Sequence, residues 1–126
     1  MTDGKNVWVM SIGTLQCFDV KGELVWKKDL EEEYGKFDIQ FGMTSTPILH
    51  DGKVYVQLIH GPMRKRGTSV GWIVALDAKD GKEVWKHKRE TEATAENKHA
   101  YSSPVVYSGK DQSFLCLLYT SDAADE

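Results

Sequence analysis

The sequence predicts an all-β chain built of four-stranded antiparallel blades: one partial, one complete and the start of a third. Three observations predict it. The hairpin LQCFDVKGELVWKKD near the N-terminus is written again as WIVALDAKDGKEVWKHKR from Trp72 to Arg89. The segment Ser45-Thr46-Pro47-Ile48-Leu49-His50 returns 57 residues later as Ser102-Ser103-Pro104-Val105-Val106-Tyr107. Asp3-Gly4-Lys5 leads into NVWVMSI as Asp51-Gly52-Lys53 leads into VYVQLI.

Taken in order, these pieces give a repeating unit of short strand, tight turn, strand, connection and Trp hairpin. Four strands per period in that order predict a β-propeller blade. Residues 5–12, 14–19 and 23–29 are expected to be the last three strands of a partial blade over 3–30. Residues 45–50, 53–60, 72–77 and 82–89 make the complete blade over 45–89, and residues 102–108 and 112–115 open the next over 102–115. Alternation supports the strands: Val54, Val56 and Leu58 are expected on one face, and Glu83, Trp85 and His87 on one face with Val84 opposite. The polar stretches Asp29 to Tyr34 and Glu90 to Lys98 read as loops.

Aligning the two Trp residues lays Ala75-x-Asp77 … Gly81-x-x-x-Trp85 over Cys17-x-Asp19 … Gly22-x-x-x-Trp26, with one residue fewer in the first turn. Gly22 and Gly81 stand where a hairpin turn needs a left-handed residue. Asp19 and Asp77 stand at the turn entrance, where a short carboxylate accepts backbone N–H bonds. Turn chemistry therefore outweighs a catalytic role for both.

The chain has 126 residues, 40% hydrophobic and 28% charged, which is globular composition without a membrane-length apolar run. Cys17 and Cys116 lie in no metal or redox motif, and His50, His60, His87 and His99 show no paired ligand spacing. The tail CLLYTSDAADE, residues 116–126, breaks the repeat. It resembles the translation of a transposon-end sequencing adapter and is set aside as non-native. Without its three acids, the remaining acidic residues equal the 16 basic ones. A nucleic-acid footprint is thereby excluded. The start at the Asp3-Gly4-Lys5 turn lacks the Ser-x-Pro strand that the repeat expects. Neighbouring blades of the same propeller are expected partners, and about two blades alone are expected to aggregate or stay partly unfolded.

The run Ala75-x-Asp77-x-x-Asp80-Gly81-x-x-x-Trp85 resembles the docking motif A-x-D-x-x-T-G-x-x-x-W of pyrroloquinoline-quinone-type repeat β-propellers, with Asp80 where Thr is usual. The Ser-x-Pro strands match that repeat too, and the resemblance covers residues 3 to 115. The Gly-His and Trp-Asp signature of WD repeats is absent, and the Gly-to-Trp step is too long for Asp-box propellers. The resemblance implies that Trp26 and Trp85 lie between blades. A flat side chain that buries roughly 150–250 Å² can lock adjacent sheets.

Connections in such a blade alternate between two faces. One carries only short turns (HDGK, SGKD, AKDGK, VKGE). The other carries the long segments Glu31 to Met43, Pro62 to Gly71 and Glu90 to Ala100, and long loops on a rigid scaffold are where binding concentrates. A protein or small-molecule ligand is therefore expected there; Arg64, Lys65 and Arg66 form a basic cluster that reads first as a solvated hairpin tip and second as a seat for an anionic group, and Phe41, His99 and Tyr101 are candidates for the channel mouth. Glu31, Glu32 and Glu33 read as a solvated acidic loop, because consecutive residues seldom converge on a cation.

Two functions follow from the resemblance. One is a non-catalytic binding or assembly scaffold, periplasmic or secreted, without a cofactor in these residues. The alternative is part of a quinoprotein dehydrogenase, in which a Trp and a vicinal disulfide sandwich pyrroloquinoline quinone and Glu, Asn and Asp hold Ca²⁺. The sequence has no adjacent cysteine pair, no assignable Asp base and no recognisable Ca²⁺ set, which weighs against catalysis.

Overall fold

The computed structural model describes residues 1–37, 45–60, 70–90 and 101–117. Their fold is all-β: three antiparallel sheets of three, four and two strands. The first holds β1 (Asn6–Ser11), β2 (Thr14–Asp19) and β3 (Leu24–Asp29). The second holds β4 (Ile48–His50), β5 (Lys53–His60), β6 (Val70–Asp77) and β7 (Glu83–Arg89). The third holds β8 (Val105–Ser108) and β9 (Ser113–Cys116). Strand order follows sequence order in every sheet, as successive hairpins require.

The two hairpins superpose in register as well as in sequence. Cys17 lies opposite Trp26, and Ala75 lies opposite Trp85. Each hairpin carries one irregularity, between Cys17 and Phe18 and between Ala75 and Leu76, so that Val25 and Val84 are extra residues of a bulge. The bulge corrects one expectation. Glu83 pairs with Leu76 and shares its face with Lys86, not with Trp85, because the inserted residue resets the alternation.

The core lies between the first and second sheets. Trp8, Leu15 and Cys17 meet Val54, Val56, Leu58, Val74, Leu76 and Ala78 there, with Trp26 and Trp72 at the margin. Full burial of each Val or Leu stabilises by about 1.5–3 kcal/mol. Ile59, Ile73 and Ala75 are buried outside that cluster, on the opposite face of the second sheet.

Several boundaries depart from the sequence reading, and β9 runs on to Cys116, the first residue of the tail set aside above, which pairs with Val105. The inner strands start at Ile48 and Val105, after Pro47 and Pro104, rather than at the serines, since proline has no N–H to give a ladder. The serines instead join the neighbouring sheets: Ser45 Oγ donates to the Ser102 carbonyl at 2.9 Å, and Thr46 N donates to Ser103 Oγ at 2.8 Å. Val70 and Gly71, expected in the long loop, open β6 opposite His60 and Ile59.

At the start of the chain, Met1 exchanges two hydrogen bonds with Trp8, and Thr2 bridges Val7. Met1 and Thr2 thus flank β1 as Ile48 flanks Tyr55 in the second sheet.

Asp29 to Tyr34 is not a plain loop: Leu30–Tyr34 is a short helix, α1. Asp29 caps it, its carboxylate accepting from Glu32 N at 2.9 Å, and the three glutamates occupy the first turn, where negative charge is favoured. Leu30 and Tyr34, four residues apart, are its buried side. The glutamates are engaged rather than merely solvated: Glu33 pairs with Lys28 at 2.7 Å, and Glu31 Oε1 accepts from Phe37 N at 2.9 Å.

Candidate functional site

The two long segments leaving the second sheet depart from the same end of it, where β5 stops at His60, β6 begins at Val70 and β7 stops at Arg89. Arg64, Lys65, Arg66, Phe41 and His99 lie outside the described residues. Tyr101 is half-buried and precedes Ser102, whose carbonyl holds Ser45.

Two polar residues that the sequence reading passed over stand at this end. Arg89 is 5% exposed and Gln57 is 1% exposed. The Arg89 guanidinium lies over Gly71: a Cβ there would come within 2.8 Å of Nε. Only a residue without a side chain admits that approach, so Gly71 and Arg89 form one packing unit. Burial of a charge is costly, so a buried arginine marks a position with a specific role. The signal available in the sequence was a charged residue closing the alternating run KEVWKHKR next to a long loop.

The opposite end carries the turns. Asp19 Oδ1 accepts from Lys21 N at 2.8 Å and Glu23 N at 2.9 Å, and Asp77 Oδ1 accepts from Lys79 N at 2.8 Å. Asp80, where the motif has Thr, accepts from Lys82 N at 3.0 Å and pairs with the Lys82 ammonium at 2.8 Å. The Lys82 contacts hold the Asp80 carboxyl below its usual range, and Asp80 raises Lys82 in turn. The Asp3 carboxyl is likewise lowered, by the backbone N–H groups of Asn6 and Lys5.

Sheet-to-sheet contact converges on one carbonyl. Trp26 Nε1 and Trp8 Nε1 both donate to Ala78 O, at 3.0 and 3.1 Å. Ala78 N donates to Gly52 O at 2.9 Å, which ties the two turns of the second sheet together. Gly81 has φ of +71°, and a Cβ there would lie 2.8 Å from Cε3 of Trp26. Gly22 has φ of +89° and nothing within 4 Å of its own Cβ position. Trp85, on the far face of the second sheet, is 39% exposed and meets the Tyr55 ring at 5.9 Å between centroids. Burial raises the Cys17 thiol above its ordinary pKa, which keeps it protonated and inert.

At the outer edge, Tyr34 Oη donates to Glu83 Oε2 at 2.8 Å. Lys86 Nζ sits 5.6 Å from the ring centroids of both Tyr34 and Trp72 and 3.6 Å from Glu83. Burial, and then the Glu83 bond, pushes the Tyr34 phenol well above its ordinary pKa. Of these groups, Trp72 adjoins Gly71 at the loop-bearing end.

Among the described residues no group of three or more His, Cys, Asp or Glu could hold a metal ion. Cys17 is buried in the first sheet and Cys116 exposed in the third, so they supply no quinone clamp. No helix among the described residues is long and apolar enough to cross a membrane.

Residues 1–117 match the sequence profile of a family described as outer membrane protein assembly factor BamB. No curated protein matches the chain. Among solved structures, the chain resembles the quinohemoprotein alcohol dehydrogenase from Comamonas testosteroni, at 25% identity and a TM-score of 0.51 over 68% of this chain and 12% of that one. A quinohemoprotein alcohol dehydrogenase from Pseudomonas putida HK5 aligns at 27% identity and a TM-score of 0.49, over the same shares of the two chains. The chain thus spans 12% of the length of the dehydrogenases it resembles.

Proposed function

The chain belongs to the family described as outer membrane protein assembly factor BamB, and from that membership we propose that it is a non-catalytic propeller scaffold that binds protein in the cell envelope. The family match across residues 1–117 carries this reading. Blades over 3–30, 45–89 and 102–115 form the rigid part; residues 116–126 are read as foreign in sequence, although Cys116 closes β9 against Val105. Ala75, Asp77, Gly81 and Trp85, with Asp19, Gly22 and Trp26, serve blade docking. The partner binds the face bearing the long segments. There Arg64, Lys65 and Arg66 offer cations to a carboxylate-rich surface, and Phe41, His99 and Tyr101 offer rings. Buried Arg89 braces that end of the second sheet against Gly71.

The likeness to the Comamonas testosteroni enzyme supports a second reading, part of a quinoprotein dehydrogenase that binds pyrroloquinoline quinone and Ca²⁺. The described residues do not fit that group, because they hold neither a paired-cysteine clamp nor a clustered set of oxygen ligands. Calorimetric titration of pyrroloquinoline quinone and Ca²⁺ into this chain, and into any longer product of its gene, separates the two. The scaffold reading expects no saturable heat. Tight binding that supports alcohol oxidation would overturn it.

A further inference from the structure

Lys86 is held between two aromatic faces. Its Nζ lies 5.6 Å from the ring centroid of Tyr34 and 5.6 Å from that of Trp72, with Glu83 Oε2 3.6 Å away. Three elements converge to make this cage. Trp72 stands on β6 two residues from Val74, the partner of Lys86 on β7, so both side chains lie on the core face of the second sheet. Glu83 reaches the same face because the bulge at Val84 pairs it with Leu76. Tyr34 arrives from α1, fixed by its own burial and by the 2.8 Å bond its Oη donates to Glu83 Oε2. Trp72 packs against the core behind it. The walls of the cage are therefore set by contacts that do not involve Lys86.

Lys86 fits this cage loosely. A charge-assisted N–H···O bond spans about 2.7–2.9 Å, well short of the distance to Glu83. Both ring distances lie near the limit of about 6 Å for a cation over an aromatic face. The Lys86 side chain is 43% exposed and belongs to the last strand of its sheet, so it can swing into solvent without disturbing the core. We propose that Tyr34, Trp72 and Glu83 form a binding site for a small molecule bearing a methylated ammonium group, with Lys86 as a tethered stand-in that the ligand displaces.

The chemistry favours methylation. A trimethylammonium head is wider than a lysine ammonium by its shell of methyl groups, so it touches both rings where Lys86 leaves gaps. It has no N–H to satisfy, and loses nothing at a carboxylate whose near oxygen already accepts from Tyr34. Glu83 supplies the opposing charge and the ring faces supply the rest. The tether then sets the affinity: a cage that Lys86 vacates a tenth of the time binds an outside cation about tenfold more weakly than an empty one. A scaffold and a dehydrogenase blade would carry this cage alike.

Titration of choline into the full chain, followed by the upfield ring-current shift of its methyl protons, tests this. Wild type is expected to bind weakly and Lys86→Ala about tenfold more tightly. The uncharged tert-butyl analogue of choline should bind neither. Glu83→Gln added to Lys86→Ala keeps an acceptor for Tyr34 but removes the charge, and should undo the gain. Wild type offers a second reading that needs no variant. Saturating choline expels the Lys86 amine, so its acylation, read by mass spectrometry, should rise while that of the exposed Lys82 stays constant. Equal choline affinity in wild type and Lys86→Ala, equal binding of the uncharged analogue, or Lys86 acylation indifferent to choline overturns the proposal. Phosphatidylcholine vesicles should capture no chain. Capture by vesicles without a shift of free choline would make the head group a lipid's and overturn the assignment to a small molecule.

Discussion

Trp26 lies so close to Gly81 that a single added methyl carbon would sit 2.8 Å from its ring. The glycine therefore serves two demands at once, a left-handed turn at φ of +71° and a seat for an indole. Gly52 has nearly the same φ, +69°, with nothing within 4 Å of its Cβ position. Gly52→Ala should cost only the backbone strain, about 1–2 kcal/mol. Gly81→Ala should add an overpacking cost of about 1–3 kcal/mol. Urea unfolding of the two variants checks the difference, and equal losses would show that the ring does not press on the turn.

The two indoles share one acceptor, Ala78 O, yet their environments differ. Trp8 is buried in the core, while Trp26 is half-buried at its margin. Trp26→Phe keeps most of the apolar contact and loses one hydrogen bond, for a cost of about 1 kcal/mol. Trp8→Ala empties a buried site and should cost about 3–5 kcal/mol. Tryptophan fluorescence follows both, with the larger red shift expected for Trp8→Ala as the Trp26 ring beside it is wetted.

The hairpins were legible because their turn chemistry is local: an Asp whose carboxylate accepts backbone N–H from the turn and a Gly four residues before a Trp fix the turn without outside help. The bulges were not, because strict alternation assigns Val84 a face that only the pairing with Leu76 and Ala75 can decide. Trp8 escaped notice as a partner of the docking turn, since its acceptor lies 70 residues away. Arg89 read as one more base in a charged run, and its burial depends on Gly71 across the sheet. Contacts made across sheets leave no periodic trace in the chain that makes them.

The helix α1 depends on its cap. Five residues are too few for a helix to persist by propensity. Asp29→Ala removes the acceptor of Glu32 N and should cost about 1 kcal/mol. Asp29→Asn keeps an acceptor and should recover most of it. Because the loss is local, hydrogen exchange at Glu32 and Glu33 should rise before that of the strands. Uniform acceleration across β1 to β3 would show instead that α1 and the first sheet unfold as one unit.

Tyr34 gives the fold an alkaline edge. Its phenol donates to Glu83 at 2.8 Å, and burial together with that carboxylate holds its pKa above the ordinary value of 10.0. A group whose pKa is raised by folding contributes stability that is fully present below the unfolded value and is lost as pH rises through and beyond it. The contribution is therefore intact at neutral pH and falls away above about pH 10. Ionisation there would set a phenolate against Glu83 and cost the chain its tie between α1 and β7. Lys86, which lies over both the Tyr34 and Trp72 rings, offsets part of that repulsion. Tyr34→Phe should lower stability at pH 7 by about 1 kcal/mol, the worth of a bond to a charged acceptor less what the retained ring keeps. It should also flatten the decline above pH 10, so that wild type and variant converge. Melting temperatures recorded from pH 7 to pH 11 read this directly, and two parallel curves would remove Tyr34 as the cause.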